Sequence, residues 1–259
     1  GRIADVVYSD GLKLDLYYPE HINDKNPLVI SIFGGGWISG FKTDKFVPPM
    51  IQPINEGFIV AVPDYTLSLD APFPQSVIDI KKCIAFLRSH SDLYKIDTNN
   101  ITLWGESAGA HLALEAGLAE NSHFDLALDT RVKNIIAMYA PSNPLTINAQ
   151  AEKLGILDTA RSDKDTVFGI YMGKNYDDER QMNLASPIKQ INDHMPNIIL
   201  EHGTKDALVP YLQSVEFFNK AKEKYPDSHV TLSIYDGLQH TDPFFFTKEH
   251  VHYLMNLLK

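Results

Sequence analysis

An α/β fold is predicted, with a mostly parallel sheet covered by helices on both faces. Three observations predict it. Short apolar runs bounded by turn residues alternate with helical patterns along most of the chain. The central runs, such as Leu28-Val29-Ile30-Ser31-Ile32-Phe33, read as buried strands of the kind found in parallel sheets. The 259 residues, 44% of them hydrophobic, are ample for one large domain spanning 1–259, and no linker-like stretch divides them.

The elements follow in order. Val6–Tyr8 and Leu12–Tyr18 are predicted as an antiparallel pair around Asp10-Gly11, a hairpin signal. Leu28–Phe33 is a strand that runs into three glycines, and Phe58–Val62 is another, stopped by Pro63. Between Gln75 and His90, apolar residues at Val77, Ile80, Ile84, Phe86 and Leu87 have the spacing of an amphipathic helix. Cys83 falls within that pattern and is read as a buried structural thiol. Ile101–Trp104 is a strand, followed by helix formers to about Ala119 and a further strand at Ile135–Tyr139. The rhythm breaks at 143–190, a mixed segment without a clear strand, read as a small helical, cap-like insert over a site. It resumes with a strand at Asn197–Glu201, a helix from Tyr211 to Lys224, a strand at Val230–Tyr235 and a closing helix at about Phe246–Leu258.

Composition narrows the functions. A net charge of −10 without any basic run disfavours nucleic acid and anionic membrane surfaces as partners. No apolar stretch approaches the length of a membrane span. The expected compartment is the cytoplasm, although the chain begins at Gly1 and is open to trimming. Oligomeric state is not legible.

The chemistry centres on Gly105-Glu106-Ser107-Ala108-Gly109, placed between the strand Ile101–Trp104 and a helix. A serine between two glycines at a strand-to-helix turn is a nucleophile elbow. The bend is tight enough to require residues without side chains on either side. By itself the pattern arises by chance in roughly one chain of this length in twenty, so its standing depends on partners elsewhere.

Those partners are expected at the C-terminal ends of strands. His202-Gly203-Thr204-Lys205-Asp206 follows one strand and Asp236-Gly237-Leu238-Gln239-His240 follows another, which yields the order Ser, Asp, His. A serine hydroxyl needs a base within hydrogen-bond reach, assigned to His240. The histidine needs a carboxylate to fix its tautomer and stabilise its charged form, assigned to Asp206. Asp236 is the rival carboxylate, nearer in sequence but placed to support the histidine loop. Among the other histidines, His111 is expected to pack beneath the elbow and His202 to order the loop presenting Asp206. His90, His123, His229, His250 and His252 are read as surface residues.

Negative charge on a substrate oxygen also needs stabilisation. Gly34-Gly35-Gly36-Trp37 follows a buried strand and offers backbone N–H groups unobstructed by side chains, and the Ala108 N–H at a helix start adds another. The glycines lack the lysine of a phosphate-binding loop and the spacing of a dinucleotide motif.

Six segments in order carry a resemblance: Phe33–Trp37; Asp64-Tyr65-Thr66-Leu67 with Pro72-Phe73-Pro74; Gly105–Gly109 followed by Ala110-His111-Leu112-Ala113; Ser186-Pro187-Ile188; His202–Asp206; and Gly237–His240. From about residue 10 onward the chain resembles the α/β-hydrolase carboxylesterases, and among them the hormone-sensitive-lipase-like and bacterial feruloyl- or acetyl-esterase-like branch. The resemblance implies an α/β-hydrolase fold. It implies hydrolysis of a small ester through an acyl-enzyme, without metal or cofactor, and oxyanion donors at Gly35, Gly36 and Ala108. One departure is Phe33, where the family usually has a histidine that braces the glycine loop.

Within 143–190, Leu145, Ile147, Phe168, Tyr171 and Met172 are candidate substrate-pocket walls together with Trp37; the alternative is that they form the insert's own core. Glu106 is expected to orient nearby loops by hydrogen bonding and receives no catalytic role. Two other functions use the same residues: an amidase such as a kynurenine-formamidase-like enzyme, and a binding protein that keeps the fold without activity.

Overall fold

The computed structural model describes all residues, 1–259. The chain opens with β1 (Arg2–Ser9) and β2 (Leu12–Tyr17), then β3 (Asn26–Ile32), β4 (Ile59–Pro63), α1 (Gln75–Ser89), α2 (Ser91–Tyr94), β5 (Ile96–Glu106) and α3 (Ala108–Leu118). It continues with β6 (Asn134–Met138), α4 (Ile147–Leu154), α5 (Val167–Met172), α6 (Glu179–Leu184), β7 (Asn197–Gly203), α7 (Leu212–Lys224), β8 (Val230–Tyr235) and α8 (Lys248–Leu257).

The eight strands form one sheet in the order β1-β2-β4-β3-β5-β6-β7-β8. Only the β1–β2 and β2–β4 pairings are antiparallel; all others are parallel. Ser9 pairs with Leu12 across the Asp10-Gly11 turn, and Gly11 has φ +71°, which the hairpin turn demands. Every residue of β4 and β6 is buried, as strands covered on both faces must be. The apolar runs read from the sequence therefore became the centre of the sheet.

Three segments differ from the sequence reading. β5 begins five residues before the expected run, at Ile96, because Asp97-Thr98-Asn99-Asn100 is polar and poorly suited to strands yet lies beside Asn26 at the start of β3. Pro48–Glu56 forms a 3-10 helix that packs against α8; its three prolines obscured any helical pattern. The closing helix starts at Lys248, where the Thr247 hydroxyl accepts the His250 N–H as an N-cap.

Between β6 and β7 the chain contains the three short helices α4 to α6 and no strand. No helix is long and apolar enough to cross a membrane.

Candidate active site

β5 ends at Glu106 and α3 begins at Ala108, which leaves Ser107 alone in the turn with φ 55° and ψ −121°. A side chain rarely adopts this conformation. The glycines make the turn possible: a Cβ on Gly105 would collide with the Gly109 carbonyl oxygen, and one on Gly109 with the Ile32 carbonyl oxygen of β3. The Ser107 N–H is held by the Met138 carbonyl at the end of β6, at 3.0 Å.

The hydroxyl of Ser107 lies 2.8 Å from His240 Nε2, and His240 Nδ1 lies 2.7 Å from Asp206 Oδ2. A carboxylate only accepts, so Nδ1–H donates to Asp206 and the Nε2 lone pair faces the serine O–H. Asp206 Oδ1 accepts the N–H groups of Leu208 (2.9 Å) and Val209 (2.8 Å), which fixes the carboxylate in its loop. Burial acts to raise the Asp206 pKa, but the hydrogen bonds from His202 and His240 outweigh it and hold the carboxyl well below its ordinary range.

His202 orders the same loop. It is fully buried; its Nε2–H donates to the Val209 carbonyl at 2.9 Å and lies 3.2 Å from Asp206 Oδ2, while Nδ1 accepts the Ser214 hydroxyl at 2.7 Å. Asp236 turns elsewhere and accepts the Thr204 hydroxyl at 2.9 Å, bracing the base of the histidine loop. The structure thus brings Asp206, not Asp236, to His240.

The glycine loop approaches from β3. Its Gly34 N–H donates to Glu106 Oε1 at 2.7 Å, the orienting contact expected of that glutamate. Gly35 and Gly36 donate to no protein group, and Ala108 is the first residue of α3, where its N–H has no carbonyl one turn back to meet. Phe33 stacks on Tyr65 with centroids 4.7 Å apart, and the Tyr65 hydroxyl donates to the Phe33 carbonyl at 2.7 Å. The loop is therefore braced by a stacked pair and a tyrosine, in place of the histidine expected before the glycines.

His111 packs beneath the elbow, as expected. Its Nε2–H donates to the Ala185 carbonyl at 2.7 Å, and its Nδ1 accepts the Trp37 indole N–H at 3.3 Å. Burial pushes its pKa down to about 4, against the opposing Ala185 contact, so the ring is neutral.

Trp37, Phe168, Tyr171 and Met172 meet as one cluster, each no more than 4% exposed. Trp37 stacks on Tyr171, and the Tyr171 hydroxyl contacts Ser76 at 3.0 Å. Such buried rings present almost no surface to a ligand; they join the glycine loop to α5. Ile147 is likewise buried, whereas Leu145 is half exposed. An exposed apolar group at the glycine loop is Val167, which faces Gly36 with room between them for about one methyl group. Sequence reasoning passed over Val167 because it stands next to larger residues and outside any motif.

One surface assignment is corrected. His250 is buried, its Nε2 is 2.8 Å from Glu201 Oε1, and Tyr235 donates to the other oxygen of that carboxylate at 2.8 Å. Its apolar neighbours Val251, Leu254 and Met255 on α8 were the available signal.

Sheet order, elbow and serine–histidine–aspartate geometry together define an α/β hydrolase. The chain belongs to the BD-FAE family, whose model matches residues 14–221. It is similar to the esterase LipQ of Mycobacterium tuberculosis, 29% identical over 228 residues, 83% of this chain and 52% of LipQ. It is also similar to the isoprenylcysteine alpha-carbonyl methylesterase ICME of Arabidopsis thaliana, 28% identical over 252 residues, 92% of this chain and 56% of that protein. The chain spans about half the length of these curated relatives. Among solved structures, a truncated carbohydrate esterase from gut microbiota shares the fold at a TM-score of 0.84 and 23% identity, covering 100% of this chain and 95% of that one.

Proposed function

We propose that this chain is a serine carboxylesterase acting on small esters through an acyl-enzyme. The carrying observation is the unbroken line from Asp206 through His240 to Ser107, at 2.7 and 2.8 Å. The sequence relatives named as esterases support the same reaction class.

In this reading the Ser107 oxygen attacks the ester carbonyl carbon while His240 Nε2 takes its proton. The carbonyl oxygen becomes an oxyanion received by the N–H groups of Gly35, Gly36 and Ala108. Collapse expels the alcohol, which takes the proton from His240, and leaves the acyl group on Ser107. Water then repeats the sequence: His240 removes a proton from it, the oxygen attacks the acyl carbon, and the acid departs as Ser107 regains its proton. Asp206 remains ionised throughout and stabilises the imidazolium. The segment 143–190 acts as a cap-like insert whose exposed Val167 limits the space beside Gly36.

Hydrolysis of p-nitrophenyl acetate by the wild type and Ser107→Ala, with circular dichroism to check the fold, tests the mechanism. Activity should vanish in the variant; unchanged turnover rules it out. A kcat/KM for N-formylkynurenine above that for an acetyl ester would replace the ester reading with an amidase.

A further inference from the structure

Glu106 and Tyr139 lie side by side at the strand ends beneath the elbow, since Glu106 of β5 pairs with Met138 of β6 and Tyr139 follows directly. Glu106 Oε2 and the Tyr139 hydroxyl are both sealed from solvent and neither has a hydrogen-bond partner of good geometry, yet the two groups are close enough to act on each other, Tyr139 acting to lower the Glu106 pKa and Glu106 to raise that of Tyr139. Leaving two buried polar groups unpaired is costly. Tyr139 is also held at φ +42°, a strained backbone for a bulky residue. Strain and unpaired polar atoms at one spot, against the proposed catalytic residues, ask for a role.

Two further contacts define it. The other Glu106 oxygen holds the Gly34 N–H of the glycine loop at 2.7 Å, and the Tyr139 ring packs on the His240 ring with centroids 4.6 Å apart. Glu106 and Tyr139 therefore bridge the oxyanion loop and the base. The geometry points to Glu106 as a second carboxylate serving His240, a positioning residue that favours the imidazolium through space while anchoring Gly34, with Tyr139 setting its place. This inference rests on the proposed esterase reading of the same site.

The charged and titratable groups around this arrangement are few. Asp206 faces His240 from the loop after β7, and His202 lies behind Asp206. Ser107 faces it from the elbow, and Tyr139 from just beyond the end of β6. Tyr65, from the segment after β4, feels the Glu106 charge, and Glu201 of β7 acts on Tyr139. Burial raises the Glu106 pKa, opposed by the Gly34 N–H, the nearby His240 charge and Tyr139. A carboxylate poised in this way loses its influence on acidification sooner than Asp206, whose pKa is held low.

The test compares Glu106→Gln, Glu106→Ala and Tyr139→Phe with the wild type in pH profiles of kcat/KM for p-nitrophenyl acetate, with melting temperatures recorded. Gln keeps an acceptor for Gly34 but removes the charge. Its acid limb should move to lower pH by about half a unit, and its kcat should fall on the order of tenfold, at a near-native melting temperature. Tyr139→Phe keeps the ring and should move the limb the same way by less. Ala should add a further loss from the freed glycine loop. An acid limb in its wild-type position in Glu106→Gln, whatever the loss of kcat, reduces Glu106 to a structural brace and overturns the inference. Should that variant fail to fold, a wild-type limb in Tyr139→Phe overturns it equally. Ser107→Ala is run alongside: unchanged turnover there removes the esterase reading as well, whereas lost activity in Ser107→Ala beside an unshifted Glu106→Gln removes this inference alone.

Discussion

Trp37 of the glycine loop and Tyr171 of α5 stack face to face, with ring centroids 4.6 Å apart and planes within 8°. This stack fastens the segment between β6 and β7 onto the loop whose N–H groups are proposed to hold the oxyanion. Tyr171→Ala should cost about 3 kcal/mol of stability and lower kcat more than it raises KM. Chemical denaturation and steady-state kinetics check both; an unchanged kcat in a folded variant would disconnect the stack from the oxyanion loop.

Phe33→His should leave kcat within about tenfold of wild type, since no donor at the oxyanion is gained or lost. The histidine ring can occupy the place of Phe33 against Tyr65. Collapse of kcat with an intact fold is the result that contradicts this.

The two candidate carboxylates separate cleanly by mutation. Asp206→Asn should lower kcat by roughly 10⁴, because the imidazole loses both its tautomer and its counter-charge. Asp236→Asn removes only an acceptor for Thr204 and should stay within a few fold. Comparable losses in the two variants would reassign the carboxylate.

Val167 should set acyl-chain preference. Val167→Phe fills the gap beside Gly36 and should reduce kcat/KM for a butyrate ester relative to acetate by roughly tenfold, while Val167→Ala should move the preference toward longer chains. Identical chain-length profiles in all three proteins would place the acyl group elsewhere.

Stability should fall on acidification in two windows. His111 takes up a proton near pH 6.5 when unfolded but only near about 4 when folded, so between these values the unfolded state binds the extra proton and gains. The loss amounts to as much as ~3 kcal/mol. Asp206, with its folded pKa lowered, adds a contribution present above its unfolded pKa and lost as pH falls below it. Urea midpoints measured from pH 7 down to about pH 3 should decline in the wild type and, above about pH 4, decline less in His111→Gln. Parallel curves would exclude His111 as the source.

Local chemistry made much of this protein legible from sequence. Apolar runs, an Asp-Gly turn and the glycines around Ser107 act on the backbone within a few residues, so the strand series and the elbow could be read without knowing what packs against them. The polar run Asp97–Asn100 and the proline-rich Pro48–Glu56 were missed because their conformations follow from neighbours distant in sequence.

The site depended on contacts of longer range. Asp206 reaches His240 across 34 residues, Gly34 reaches Glu106 across 72 and Ser107 reaches His240 across 133. Periodicity carries no information over such separations; the pairings exist because a parallel sheet gathers the C-terminal ends of its strands at one edge. Sequence alone determined which residue types stood at those ends. Tertiary packing decided that Asp206 rather than Asp236 meets the histidine, that His250 and the aromatic cluster are buried, and that Glu106 and Tyr139 are sealed from solvent beside each other, because burial and hydrogen bonding are settled only when distant strands and helices close on one another.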